Sequence, residues 1–429
     1  MRTSEHKNIS NPQQFKTQLL TWSQQFREVV FLDSNNYPDQ YSSYDCILAI
    51  DAFTSIQTDY NNAFEDLKQY QQTTCDWLFG YLSYDLKNNI EDLKSTNFDG
   101  LNFPDLYFFQ PKKLFLMKGH DLEICYLNMC SDEVENDFTE INQSEKANFD
   151  SQDSIEILQK ITKEKYIEQV SKILNHIHRG DIYEANFCME FFAENAIISP
   201  LAKYLKLNEI SKAPFSVFFK NNNHFLLSAS PERYLKKNGV HLISQPIKGT
   251  SKRFSDKLED QQSKVELYRN PKERSENIMI TDLVRNDLSK TAQKGSVKVE
   301  ELCKVYSFMQ VHQMITTITS ILNLEFSNID VLKTTFPMGS MTGAPKISAM
   351  KIIEDLEESK RGLYSGTIGY FTPNGDFDFN VVIRSILYNQ EENYVSFSVG
   401  SAITSLSIPE QEYQECMLKA DAMLKVLSL

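Results

Sequence analysis

The chain has 429 residues, with 58 acidic against 44 basic side chains and a formal charge of −14. That balance argues against nucleic acid or an anionic membrane as partner, since both demand a basic face; an anionic small molecule is allowed if cations or a metal gather around it. Seven cysteines, odd in number and without a C-x-x-C pair, point to reduced thiols rather than disulfides or a zinc site. Residues 1–14 carry no apolar signal core and no apolar run is long enough for a bilayer, so a soluble, cytoplasmic protein is expected.

In chain order, 16–31 reads as an amphipathic helix running into a strand at 29–32, and 46–50 as a second strand. Further strands are expected at 77–86, 103–109, 113–117 and 121–130. Residues 131–153 are polar and acidic and read as a linker. This places a strand-rich domain at 1–150 and a second domain at 155–429. Tyr166, Val170, Ile173, Leu174 and Ile177 share one face of a helix that Gly180 ends. A strand at 187–192 follows. Residues 271–290 form a helix with Pro271 at its start, and 306–322 a helix or a strand–helix pair. Strands at 366–371, 379–388 and 394–399 precede a last helix that opens on a capping box, Ser407 to Glu410.

The stretch from Ser228 to Thr250 is a β-hairpin, because apolar runs flank Asn238-Gly239. Its ends fold back beside each other, so Glu232 and Lys248 should lie close. Pro246, Ile247 and Gly249 surround Lys248 with a rigid, partly apolar turn, where desolvation would lower the amine's pKa and make it nucleophilic. Glu232 could then donate a proton. Taken alone, the stretch reads more readily as a surface lysine ending a hairpin and paired with a surface glutamate.

Two further stretches bear on chemistry. Phe336 to Lys346 is a Gly-rich loop opening a helix at 347–358, suited to an anion such as a carboxylate. Its spacing is not that of a nucleotide P-loop, and it serves equally as a helix-entry turn that needs its glycines. On the last helix Glu412, Glu415 and Lys419 form one stripe. By spacing this is a solvated face; paired with Glu276 of the 271–290 helix, it would be an oxygen-ligand site for Mg²⁺.

Eight runs, GDIYEAN (180–186), SASPER (228–233), PIKGT (246–250), KERSENIMITDLVRNDL (272–288), FPMGSMTGAPK (336–346), RGLYSGTIGYF (361–371), VVIRSI (381–386) and PEQEYQE (409–415), together resemble the chorismate-utilising enzymes, the family of anthranilate synthase component I. They occur in family order through the part after the linker. The resemblance implies an α/β (α+β) fold of packed β-sheets flanked by helices, with 155–429 as the chorismate-binding catalytic part. The lysine of PIKGT is similar to that of the aminodeoxychorismate synthases; anthranilate synthases carry alanine there, and isochorismate and salicylate synthases place a general-base lysine where this chain has Glu184.

The activity so implied is conversion of chorismate and ammonia to 4-amino-4-deoxychorismate, on the route to para-aminobenzoate and folate. Lys248 would attack ring carbon C2, with Glu232 as acid. Mg²⁺ would be held by Glu276 and Glu415, with Glu412 nearby. Arg384 and Tyr364 would grip a carboxylate; Thr342, Gly343, Gly400, Ala402, Lys419 and Gln313 would complete the substrate pocket. No glutaminase nucleophile elbow occurs in the chain, since Cys188 lacks flanking glycines, so a glutamine amidotransferase subunit would supply the ammonia. Glu184, Gln313, Ala402 and Leu406 depart from the family pattern. They leave room for anthranilate, isochorismate or salicylate synthesis, or for a non-catalytic subunit that binds a partner.

Overall fold

The computed structural model describes residues 1–144, 155–309 and 311–428. Among the described residues the strands pair antiparallel, in one continuous hydrogen-bonded sheet that folds over at the paired long strands Cys46–Thr58 and Leu106–Lys118 into two layers, called here the two sheets. In one sheet, Cys46–Thr58 leads through Glu28–Asp33, Phe215–Asn221, His224–Ser230, Ser385–Asn389 and Tyr394–Ile403 to Glu184–Ala193. In the other, Leu106–Lys118 leads through Leu78–Leu82, Thr367–Phe371, Phe377–Val381, Arg233–Asn238 and His241–Gln245 to Val311–Ile321.

Side chains alternate across a strand, and in the first sheet both faces are apolar. Val29, Phe31, Phe218, Phe225 and Leu227 join a core with Phe15, Tyr166, Tyr204 and Met423 from helices. Val30, Phe219, Leu226 and Leu387 point the other way and join a second core with Phe79, Ile368, Phe379 and Ile318 of the second sheet. The two sheets therefore pack face to face, and helices cover the outside. Both cores draw on residues before and after 145–154. No helix of the described residues is long and apolar enough to cross a membrane.

Several elements differ from the sequence reading. Residues 306–322, expected to be helical at least in part, contain the strand Val311–Ile321; its run of Val, Ile and Thr is stiff at χ1 and fits a pleated surface. Within the expected linker, 145–154 lie outside the described residues, but Val134–Gln143 is a helix. Val134, Phe138 and Ile141 make a short apolar face there, with Phe138 6.0 Å from Phe15. The strands expected at 103–109 and 113–117 are one strand, in which Pro111 sits at a register shift opposite Ala52, the kind of place where a missing N–H does least harm. The expected strand 379–388 is broken at Arg384, whose φ is +51°. The capping box does not form: Ser407 Oγ accepts from the Thr404 N–H at 3.0 Å, and the last helix, Pro409–Leu427, starts without a side-chain cap.

Gly80 and Gly369 face each other across the Leu78–Leu82 and Thr367–Phe371 pair. A Cβ on Gly80 would lie 1.9 Å from the Tyr107 carbonyl oxygen, and one on Gly369 2.1 Å from that of Asp378. Backbone cannot yield as a side-chain tip can. Gly80→Ala is expected to destabilise the fold by about 1–3 kcal/mol, seen as a lower urea midpoint with an unchanged slope.

Candidate active site

The hairpin exists as the sequence suggested: Arg233–Asn238 pairs with His241–Gln245, and Gly239 turns with φ +59°. The chain then continues as Ile247–Lys252 against Val311–Ile321, with a register shift between Ile247 and Thr250. Lys248 and Gly249 occupy that irregularity. Gly249 has φ +95°, and a Cβ there would approach Glu273 Oε2 to 3.0 Å, so a glycine lets the strand kink and re-aim its neighbour. The Lys248 carbonyl accepts from Asn277 Nδ2 at 3.4 Å, which ties the kink to the helix Pro271–Ser289.

The Lys248 ammonium is buried and ion-paired to Glu184 Oε1 at 2.9 Å. Burial by itself would lower its pKa, as expected from the sequence, but Glu184, Glu276 and Glu232 outweigh that and raise it above the ordinary lysine value. The free amine is therefore held as a cation. Glu184 has no solvent exposure and turns inward, onto Lys248. The strand that carries it pairs Glu184 with Ala344 and Ala185 with Gly343. A Cβ on Gly343 would sit 2.2 Å from the Glu184 carbonyl oxygen, so only glycine permits the Gly-rich loop to close this tightly against the strand.

Glu232 precedes the hairpin and is buried. Burial pushes its carboxyl up to about 7, against the pull of the Ser340 hydroxyl, the Lys248 ammonium, the Ile247 N–H and the Arg384 guanidinium. A carboxyl that holds its proton near neutral pH and lies within the field of an amine is suited to proton donation. Arg384, in its left-handed bend, has no ion pair or side-chain hydrogen bond among the described residues; burial opposes its charge and Glu232 supports it. A half-buried guanidinium of this kind is a ready carboxylate fork. Tyr364 is buried with its hydroxyl accepting from Cys188 Sγ at 3.7 Å.

The other pocket residues named from the sequence fall around this centre. The Thr342 carbonyl accepts from the Asn186 N–H at 2.8 Å. Ala402 stands opposite Asn186 in register, and Gly400 opposite Cys188. A Cβ on Gly400 would meet Cys188 Sγ at 2.6 Å. Lys419 Nζ lies 2.7 Å from Glu415 and 2.8 Å from the Gly400 carbonyl oxygen. Gln313 pairs with Thr250 and is buried, its Oε1 without a hydrogen-bond partner among the described residues. Its neighbour His312 faces the opposite way and binds Asp260 and Ser307 at 3.1 and 2.9 Å.

The acidic stripe is only in part a solvated face: Glu415 and Lys419 keep partial exposure, but Glu412 is buried, as is Glu276 on the other helix, and among the described residues Glu276 Oε1 and Glu412 Oε2 have no hydrogen-bond partner. Lys272 links the two helices, 2.9 Å from Glu412 and 3.8 Å from Glu276. Burial pushes Glu276 up to about 8, with Glu273 and Glu184 adding to it and Lys248 and Lys272 opposing. Glu415 is held below the usual carboxylate range, because Lys419, Lys272 and Lys248 together outweigh its burial. These are all oxygen donors, the set that suits Mg²⁺, and the orphaned oxygens mark where positive charge is wanted. Among the described residues no three acidic, histidine or cysteine groups already stand in metal-binding geometry; Lys272 supplies the cation between them.

Sequence reasoning passed over Glu273, raised by burial and by Glu415, although its i, i+3 spacing from Glu276 puts both on one helix face. It also left out Lys272, Asn277 and Ser340, which carry no distinctive local signal.

Comparison with known proteins bears on the family and the fold. A family model described as chorismate binding enzyme matches residues 27–425. The chain is 35% identical over 383 residues to the chloroplastic aminodeoxychorismate synthase of Arabidopsis thaliana, covering 83% of this chain but 41% of that one. It is 30% identical over 390 residues to aminodeoxychorismate synthase component 1 of Bacillus subtilis, covering 88% and 81%. The chain thus spans less than half the length of the plant relative. Its fold matches the crystal structure of anthranilate synthase component I from Streptococcus pneumoniae with a TM-score of 0.77 at 22% identity, over 91% of this chain and 95% of that one. A family match across nearly the whole sequence, the shared fold and a buried amine among converging carboxylates lead to one conclusion: the chain belongs to the chorismate binding enzymes.

Proposed function

We propose that the protein is an aminodeoxychorismate synthase subunit, converting chorismate and ammonia to 4-amino-4-deoxychorismate through a covalent bond to Lys248. The observation that carries this reading is the buried Lys248 amine with Glu232 beside it, a carboxyl held near 7. The named relatives support the same choice of reaction within the family.

In this reading the neutral Lys248 amine bonds to C2 of the ring, both ring double bonds shift, and the C4 hydroxyl leaves as water with the proton of Glu232. Ammonia then bonds to C4, the double bonds shift back, Lys248 departs as the neutral amine, and Glu232 recovers its proton from the new C4 ammonium, leaving the amino group at C4. Dividing a difficult displacement into two easier ones is the purpose of a covalent nucleophile. Arg384 holds one substrate carboxylate. Tyr364, Thr342, Gly343, Gln313, the backbone at Gly400 and Ala402, and Lys419 shape the remaining wall. Glu276 and Glu415, with Glu412 at hand, would hold Mg²⁺, which when bound screens the other carboxylate of the substrate. Loading the ion means displacing the Lys272 ammonium from between the helices. A glutamine amidotransferase partner is the proposed source of ammonia, in keeping with the "component 1" in the name of the Bacillus relative.

Five outcomes test this. Lys248→Ala, given chorismate, Mg²⁺ and ammonium, should form no aminodeoxychorismate by mass spectrometry; turnover at the wild-type rate overturns the covalent route, and anthranilate or isochorismate as product overturns the assignment. Glu232→Gln should lower kcat by about 10²- to 10⁴-fold. Wild-type activity should fall as pH rises through about 7, where Glu232 loses its proton. The sign for stability follows from the raised pKa: the fold prefers the protonated acid, so this contribution is complete below about 4.5 and lost as pH climbs through about 7. Above that pH Glu232→Gln should be the more stable protein, by up to about 3 kcal/mol. Finally, Glu276→Gln should abolish the rise in melting temperature that Mg²⁺ with chorismate gives the wild type.

A further inference from the structure

Glu184 has no part in the scheme above, yet it is the closest charged group to the reacting amine. Its carboxylate is fully buried, 2.9 Å from Lys248 Nζ, and Lys248 is its only ion-pair partner among the described residues. It sits at the first residue of a strand clamped on both sides. Ala344 of the Gly-rich loop pairs with it, and the next residue, Ala185, pairs with both Gly343 and Ile403. Lys248 stands on a strand irregularity beside Gly249.

We propose that Glu184 is a positioning residue that locks the free enzyme's nucleophile: it pins Lys248 as an ammonium ion in a buried pair, so that the amine is unreactive until the site is filled. Separation of the pair is then what releases it. This rests on the reading of Lys248 as the nucleophile. The lock explains how a buried amine is kept from combining with stray electrophiles while it waits. It also assigns a purpose to a carboxylate that otherwise adds negative charge to a pocket meant for a dianion. The charged groups facing Lys248 are Glu184 from the sheet, Glu232 at the hairpin, Glu276 from the helix Pro271–Ser289, and Glu415 and Lys419 from the helix Pro409–Leu427. Among the described residues only Glu184 is close enough for an ion pair. Removing it should therefore take away the nearest charge that opposes burial and lower the pH at which the amine loses its proton.

The test is the pH dependence of carbamylation by cyanate in the ligand-free full chain, read by peptide mass spectrometry at Lys248 with the exposed Lys294 as internal standard. In the wild type the midpoint at Lys248 should lie above that at Lys294. In Glu184→Gln it should fall below it, with labelling at pH 7.5 at least tenfold faster relative to the standard, while Glu184→Asp stays close to wild type. The acid limb of kcat/KM should move to lower pH by a unit or more in Glu184→Gln. Equal midpoints for wild type and Glu184→Gln overturn the lock. If that variant does not fold, a wild-type midpoint at or below that of Lys294 overturns it by itself. Labelling needs no turnover, so failure of the lock is distinct from failure of the covalent route, which the Lys248→Ala product assay reads.

Discussion

A single buried ammonium facing several buried carboxylates governs this molecule. Lys248 cannot be charged in that place without Glu184, Glu232 and Glu276, and they in turn depend on it, because an isolated charge in a protein interior costs several kcal/mol. The network is also unbalanced. Glu232 and Glu276 are pushed upward by burial to about 7 and about 8, so the cavity carries protons ready for transfer and an unmet demand for positive charge. Arg384 and Lys272 meet part of that demand at its edges. An anionic substrate and a divalent ion are the natural partners of such an environment: one takes up the cations, the other the acids.

The scaffold serves that arrangement by holding each group on a different element. Glu184 begins the last long strand of one sheet, Glu232 and Lys248 stand at the two ends of a hairpin in the other, and Glu276 and Glu412 on helices outside. Face-to-face packing of the sheets brings these parts together, and close approaches at Gly343 and Gly400 leave no room for a Cβ. Interior packing is dense enough that such contacts fix positions rather than suggest them. The bends at Gly249 and Arg384, both with positive φ, are where regular pairing is interrupted, and both aim a charged side chain into the site.

Much of this was legible locally. The Asn238-Gly239 turn announced the hairpin, and with it the closeness of Glu232 and Lys248, because loop chemistry fixes register over a short span. The apolar face from Tyr166 to Ile177 announced its helix. The eight family-like runs marked the part of the chain where the site lies. Where the reading went astray, a short-range rule lost to context. Residues 306–322, read as a helix or a strand–helix pair, hold the strand Val311–Ile321, and Val134–Gln143, read as linker, is a helix. Ser407 found a partner in its own loop in place of a helix cap.

The sequence by itself determined which residues can do the chemistry, since an amine, acids and glycines at turning points are properties of single positions and their neighbours. Only the tertiary structure decided their charge and company. Whether Lys248 is a free base or a pinned cation, whether Glu412 is solvated or buried, and whether Glu184 turns outward or inward all depend on the summed fields and desolvation of groups far apart in the chain. Such sums have no local signature. They exist only once two sheets and two helices have closed around the same few ångströms.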